Sequence, residues 1–194
     1  TSKGQPTNAL FGFLNILLKH LQEEKPDRIM VAFDRKAKTF RHALYNGYKA
    51  TRTGMPDDLA AQLQPAKDLL SALRITIAEQ DGLEADDILG MISRRCKDQG
   101  DQCVIVSGDR DVLQLINEKV SVKLLTNKED ILFNKEKVME KYGLSPEQLI
   151  DLKALMGDSS DNIPGVKGVG EKTALSLLSQ YQTLDGVFEN ADKI

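Results

Sequence analysis

The stretch QCVIVSGDRDVLQLI, Gln102–Ile116, decides how this chain is read. The apolar run Cys103–Val106 is a strand, broken at Ser107-Gly108, and Asp109 and Asp111 then stand just past its carboxyl end. In open α/β sheets that end is where ligands bind, so two negative charges there ask for a positive partner.

The same grammar repeats outward from this point. RIMVAFD (Arg28–Asp34) is a strand closing on Asp34, and RITIAEQ (Arg74–Gln80) is a β-branched strand followed by EADD (Glu84–Asp87) at a helix start. VSVKLLT (Val120–Thr126) is a further strand, and a short helix is expected from Arg110. Between them lie helical patterns: one from Thr7, its predicted N-cap, through Leu10, Leu14, Leu17 and Leu21 to Pro26, one over Asp57–Leu73, and one over Glu84–Gly100. Strands alternating with helices predict an α/β fold with a mostly parallel sheet flanked by helices. From Asn134 onward only helical patterns and turns are expected, so the chain divides into an α/β core over 1–133 and a helical subdomain over 134–194.

The 194 residues are 41% hydrophobic and 28% charged, the composition of an ordinary globular protein. No apolar run reaches the roughly 20 residues of a membrane span and no signal segment opens the chain, so a cytoplasmic protein without a membrane partner is expected. Cys96 and Cys103 have no metal-type spacing and are expected to be buried, reduced and without function. The net charge of −3 hides a segregation: residues 35–56 carry Arg35, Lys36, Lys38, Arg41, Lys49 and Arg52 and no acid, leaving 20 basic against 29 acidic residues elsewhere. With Phe40, Tyr45 and Tyr48 among those cations, the segment suits a polyanion with stackable bases.

An acidic helix start alone is ordinary, because carboxylates complement the dipole there. Convergence of Asp34, Glu84, Asp86, Asp87, Asp109 and Asp111 is different: each pair of carboxylates about 4 Å apart repels by about 4 kcal/mol at an effective dielectric of 20. With no histidine or cysteine in these motifs the donors are all oxygen, which selects Mg²⁺ or Mn²⁺ over zinc, and two such ions can bracket a phosphodiester. GDSSDNIPGVKGVGEKTA (Gly157–Ala174) adds a backbone grip: Gly165, Gly168 and Gly170 allow tight turns and close approach, a helix N-terminus follows, and Lys167 and Lys172 supply charge. Asp158 and Asp161 lie just ahead of it.

Phe33-Asp34, TFRHALYNGYKATR (Thr39–Arg52), EADD, SGDRD (Ser107–Asp111) and the glycine-rich stretch together resemble the 5′-nuclease (flap endonuclease) domain of bacterial DNA polymerase I. The resemblance implies a PIN-like 5′-nuclease fold with a helical arch over 35–56 and a C-terminal helix-three-turn-helix. It implies a first ion on Asp34, Glu84 and Asp86, a second on Asp109, Asp111 and Asp161, with Asp87 and Asp158 in support. It also implies catalytic cations at Arg41, Lys49 and Arg52, whose i, i+8, i+11 spacing suits one helix face unless Asn46-Gly47 breaks it, and DNA contacts from Tyr45, Tyr48 and the glycine stretch, with K⁺ at the latter. Expected partners are DNA with a 5′ flap, nick or gap, an RNA primer strand, and a polymerase domain following in a longer protein, the whole acting as a monomer. The family pattern opens with an aspartate-bearing strand, whereas this sequence starts at TSKGQPTNALFG; the expectation is a first metal short of one ligand, a sheet short of one strand, and a poor nuclease. The rivals are a non-catalytic DNA-structure-binding fragment and a haloacid-dehalogenase-type phosphatase, whose D-x-D motif wants Thr or Val where Leu113 stands.

Overall fold

A computed structural model describes residues 4–194. In chain order the elements are α1 (Asn8–Glu24), β1 (Met30–Ala32), α2 (Phe40–Leu44), α3 (Asp57–Ala72), β2 (Thr76–Ala78), α4 (Ala85–Gln99), β3 (Cys103–Ser107), a 3-10 turn (Asp111–Leu115), β4 (Val120–Leu124), β5 (Ile131–Phe133), α5 (Lys135–Tyr142), α6 (Gln148–Met156), β6 (Gly157–Asp158), β7 (Ile163–Pro164), α7 (Glu171–Tyr181), α8 (Leu184–Glu189) and a terminal 3-10 turn (Ala191–Lys193). They pack as two units. One comprises the residues up to Thr39 with Arg52–Ala85; the other comprises Phe40–Thr51 with Asp86–Ile194.

In the first unit β1 and β2 pair in parallel, Met30 opposite Thr76 and Ala32 opposite Ala78. Leu17 of α1, Leu70 of α3 and Ile75 form its buried centre, with Phe13, Leu14, Leu21, Val31, Phe33 and Ile77 against them. The apolar spacing along α1 is what turns Leu14, Leu17 and Leu21 to one side. Thr7 makes no side-chain cap. Instead Gln62 of α3, 4% exposed, accepts from the Ala9 and Leu10 amides at 2.9 and 3.0 Å and donates to Asn8 Oδ1 and the Asp58 carbonyl. The free amides of a helix start are thus answered by a distant residue, which local sequence does not announce.

In the second unit β3 and β4 are parallel over five pairs and β5 joins β4 antiparallel, Val122 opposite Phe133. β4 alternates with Val120, Val122 and Leu124 inward, and these meet Ile105, Leu113, Phe133, Val138, Leu155 and Leu178 in one core. The helical C-terminal third therefore shares its core with the sheet. Helix ends here follow local chemistry: Asn134 accepts from the Lys137 amide, Thr183 from the Gly186 amide, and Ser145 and Gln148 exchange bonds as a capping box. The sequence does not announce β5, β6 or β7, since such isolated runs of two or three residues carry no readable period. Cys96 and Cys103 are half-buried rather than buried. Burial pushes the Cys103 thiol up to about 11, helped by the adjacent Cys96 thiol.

Candidate nuclease site

In the first unit the chain leaves β1 at Asp34, whose Oδ1 accepts the Ala85 amide at 2.7 Å and so holds Asp34 beside Glu84. The carboxylate meets an orphan N–H at the start of α4, where negative charge is favoured. Next to it Arg35 Nε pairs with Asp81 Oδ1 at 2.7 Å.

The second unit holds the remaining acids. Asp86 and Asp87 occupy the first turn of α4, and Asp87 takes both guanidinium nitrogens of Arg41 at 2.8 Å, a bidentate pair. Past β3 the Asp109 amide bonds Ser107 Oγ at 3.0 Å and the Asp111 amide bonds Asp109 Oδ1 at 2.8 Å, so the turn is stapled by its own side chains. Asp158 Oδ1 accepts the Ser160 amide and hydroxyl at 2.8 and 2.6 Å, and the Asp161 amide at 3.3 Å. Lys153 of α6 places its Nζ 2.8 Å from Asp111 Oδ1 and 2.8 Å from Asp158 Oδ2, tying the β3 turn to the 158–161 loop. Burial raises the Asp158 carboxyl, but bonds from Lys153 and Ser160 outweigh it and hold it well below the usual carboxylate range. Burial likewise disfavours the Lys153 ammonium, and its two aspartates reverse that, raising it. A cleft of about 200 Å³ lies alongside, lined by Arg110, Asp111, Leu113, Tyr142, Lys153 and Glu171 among others.

Lys153 was not singled out from sequence. Its signal was a lone lysine between the buried Leu152 and Leu155, five residues before Asp158. Its ammonium shows what the acids require, a positive charge between carboxylates, and their donors are all oxygen, which suits a hard cation. Among the described residues, however, no three of the predicted carboxylates bring ligand atoms within 4.8 Å of one another.

The basic segment departs from expectation. Its helix is only Phe40–Leu44, turns follow through Thr51, and Lys49 has φ +54, so Arg41, Lys49 and Arg52 do not share one helix face. A Cβ at Gly47 would sit 2.5 Å from the Tyr45 ring, which marks the tight turn that ends the helix. Arg41 is engaged with Asp87 and lies over the Phe40 ring at 4.6 Å. Tyr48 is 5% exposed, edge-on to His42 with ring centroids 5.2 Å apart, and so cannot stack a base; Tyr45, 41% exposed, can. The Lys49 amide donates to the Asp161 carbonyl at 2.9 Å and Asn162 Nδ2 donates to the Gly47 carbonyl at 2.7 Å. These two bonds pin the tip of the basic segment to the loop bearing Asp158 and Asp161. Arg52, in the first unit, is exposed.

In the glycine stretch β6 and β7 form a minimal hairpin, Gly157 opposite Pro164. A Cβ on Gly165 would lie 2.3 Å from the Met156 carbonyl carbon, so this glycine permits internal backbone packing rather than approach to a ligand. Gly168 has φ +85 and open space around it, and Gly170 is the extended residue before α7. Lys167 and Lys172 are exposed.

Residues 1–143 match the family model for the 5′-3′ exonuclease N-terminal resolvase-like domain, and residues 144–194 match that for the 5′-3′ exonuclease C-terminal SAM fold. The chain is 47% identical over 198 residues to DNA polymerase I of Caldicellulosiruptor bescii, covering 100% of this chain and 23% of the relative. It is 44% identical over 196 residues to DNA polymerase I of Bacillus subtilis, covering 99% of this chain and 22% of the relative. The chain thus spans about a quarter of the length of these relatives. Among solved structures, bacteriophage T5 5′-exonuclease with bound zinc superposes with TM-score 0.77 at 24% identity, over 96% of this chain and 72% of that one. The catalytic core of Rad2 in complex with DNA substrate superposes with TM-score 0.60 at 20% identity, over 93% and 55%. At such identities the likeness is one of fold.

Proposed function

This chain belongs to the 5′-3′ exonuclease family found in DNA polymerase I, and on that premise we propose that it hydrolyses phosphodiesters at the 5′ end of a DNA strand. The observation that carries the reading is the pinning of Lys49 and Gly47 to the Asp161-Asn162 loop, which joins a cation-rich segment to carboxylates. Lys49 offers its ammonium to the scissile phosphate, with Arg52 assigned the same task, while Arg41 holds the segment to α4 through Asp87. Asp34, Glu84 and Asp86 are assigned to one divalent ion and Asp109, Asp111 and Asp161 to a second, with Asp87 and Asp158 supporting. Such ions, when bound, would supply Lewis-acid polarisation of the phosphodiester. Lys153 holds Asp111 and Asp158 in register, and the amides around Gly168 and Gly170, with Lys167 and Lys172, grip duplex backbone without reading bases.

The same proposal includes Mg²⁺ or Mn²⁺ as the ions, K⁺ at the glycine turn, a 5′ flap, nick or gap (or an RNA primer strand) as substrate, a polymerase domain as covalent neighbour, a monomer, and a cytoplasmic setting. No helix among the described residues is long and apolar enough to cross a membrane. The test is a labelled 5′-flap duplex with Mg²⁺. Asp109→Asn with Asp111→Asn should cut cleavage by at least 100-fold, on the order of an electrostatic stabiliser's worth, and leave duplex binding intact or tighter. Wild-type cleavage by the double variant sinks the site assignment, and binding without cleavage by the unmutated chain favours the binding-module reading.

A further inference from the structure

α1 ends in a cluster that the nuclease reading does not use. His20, Glu23 and Glu24 lie on its last turn, at i, i+3 and i+4, and each offers one ligand atom such that all three lie within 4.8 Å of one another. Residues at this spacing share one helix face, as the paired ligands of helical metal motifs do. His20 Nδ1 faces Glu23 Oε2 at 3.6 Å. That is too long for an N–H···O hydrogen bond. Two ligands bound tetrahedrally to one zinc ion at about 2.0–2.1 Å stand about 3.4 Å apart, close to the separation found.

Two further features favour a cation. Glu23 and Glu24 sit at the carbonyl end of the helix, where the dipole makes carboxylates unfavourable and positive charge favourable. His20 is 7% exposed, so burial restricts the orientations its imidazole can take before any ion arrives.

We propose that His20, Glu23 and Glu24 form a binding site for a borderline divalent cation, zinc by preference, outside the carboxylate cluster assigned to catalysis. One imidazole nitrogen and two carboxylate oxygens select Zn²⁺ over Mg²⁺, which takes oxygen donors and keeps its waters. Three protein ligands leave a fourth position to water. The bound ion clamps the last turn of α1.

Calorimetric titration of this chain with Zn²⁺ in excess Mg²⁺ tests the site. One zinc equivalent is expected, retained in Asp109→Asn/Asp111→Asn and weakened at least tenfold in Glu23→Gln/Glu24→Gln, an isosteric pair of changes at the helix end. Co²⁺ in place of zinc should show visible bands that shift in His20→Gln. An isotherm unchanged in Glu23→Gln/Glu24→Gln overturns the proposal, leaving an ion-pair network there. Loss of the zinc equivalent in the Asp109/Asp111 variant overturns it as well, by placing the ion on the catalytic acids.

Discussion

Lys153 shows how one side chain can stand in for what a cluster needs. Its ammonium bridges Asp111 and Asp158 at 2.8 Å each, and without it two carboxylates would face each other across the turn. Lys153→Met should therefore destabilise the chain in metal-free buffer by about 1 kcal/mol, a charged hydrogen-bond contribution discounted because Lys153 is 42% exposed. The pH dependence follows from both partners. Asp158 is depressed, so its share is present above the ordinary carboxylate value near 3.9 and is lost as pH falls through the lowered one. Lys153 is raised, so its share is complete below about 10.4 and is lost as pH rises through the elevated value. Urea unfolding of both proteins should show the gap across neutral pH, narrowing below about pH 4 and again above about pH 10.5; a gap that does not vary with pH would mean Lys153 acts through its methylenes.

At the scale of elements, α1 and the glycine hairpin depend on contacts that are distant or backbone-only. Gln62→Ala leaves the Ala9 and Leu10 amides without their side-chain partner, and should cost about 2 kcal/mol. Amide exchange at Ala9 and Leu10 should speed up before the rest of α1; uniform loss of protection would instead mean that the capping bonds are incidental. The two glycines of the hairpin and turn should behave differently on substitution by alanine. Gly165→Ala drives a Cβ into the Met156 and Gly157 backbone, 2.3 and 2.4 Å away, and should cost about 2–3 kcal/mol because backbone must shift. Gly168→Ala meets open space and only the strain of φ +85, about 1 kcal/mol. Thermal melts of the two variants give the order directly, and the reverse order would contradict the packing described.

For the whole molecule, the proposed binding of a polyanion by a chain of net charge −3 rests on the segregation of its cations. Of the six in residues 35–56, Arg35 and Arg41 are committed to Asp81 and Asp87. Phosphate contacts from the other four would make the affinity for single-stranded DNA fall with salt at a logarithmic slope of about 3, at about 0.7 per phosphate contact, and Lys49→Ala/Arg52→Ala should lower that slope by about 1.4. Fluorescence anisotropy across a salt series reads both, and a slope near 4 or above in the unmutated chain would return the two arginines to the binding face. Much of the molecule was legible beforehand because its signals are local. β1–β4 are apolar runs closed by turn residues, the acids follow the strand ends, and the glycine-rich stretch keeps its spacing, so strand periodicity and motif order determined the α/β class and the family resemblance. Tertiary structure decided which partners those residues take. Gln62 rather than Thr7 caps α1, because a buried amide side chain 53 positions from Ala9 satisfies what the local hydroxyl does not. Tyr48 is buried and Arg41 is paired, because a broken helix turns them inward where a continuous one would have displayed them. Hydrogen-bond partners and burial depend on chain segments far apart in sequence, and no periodicity within a single segment encodes them.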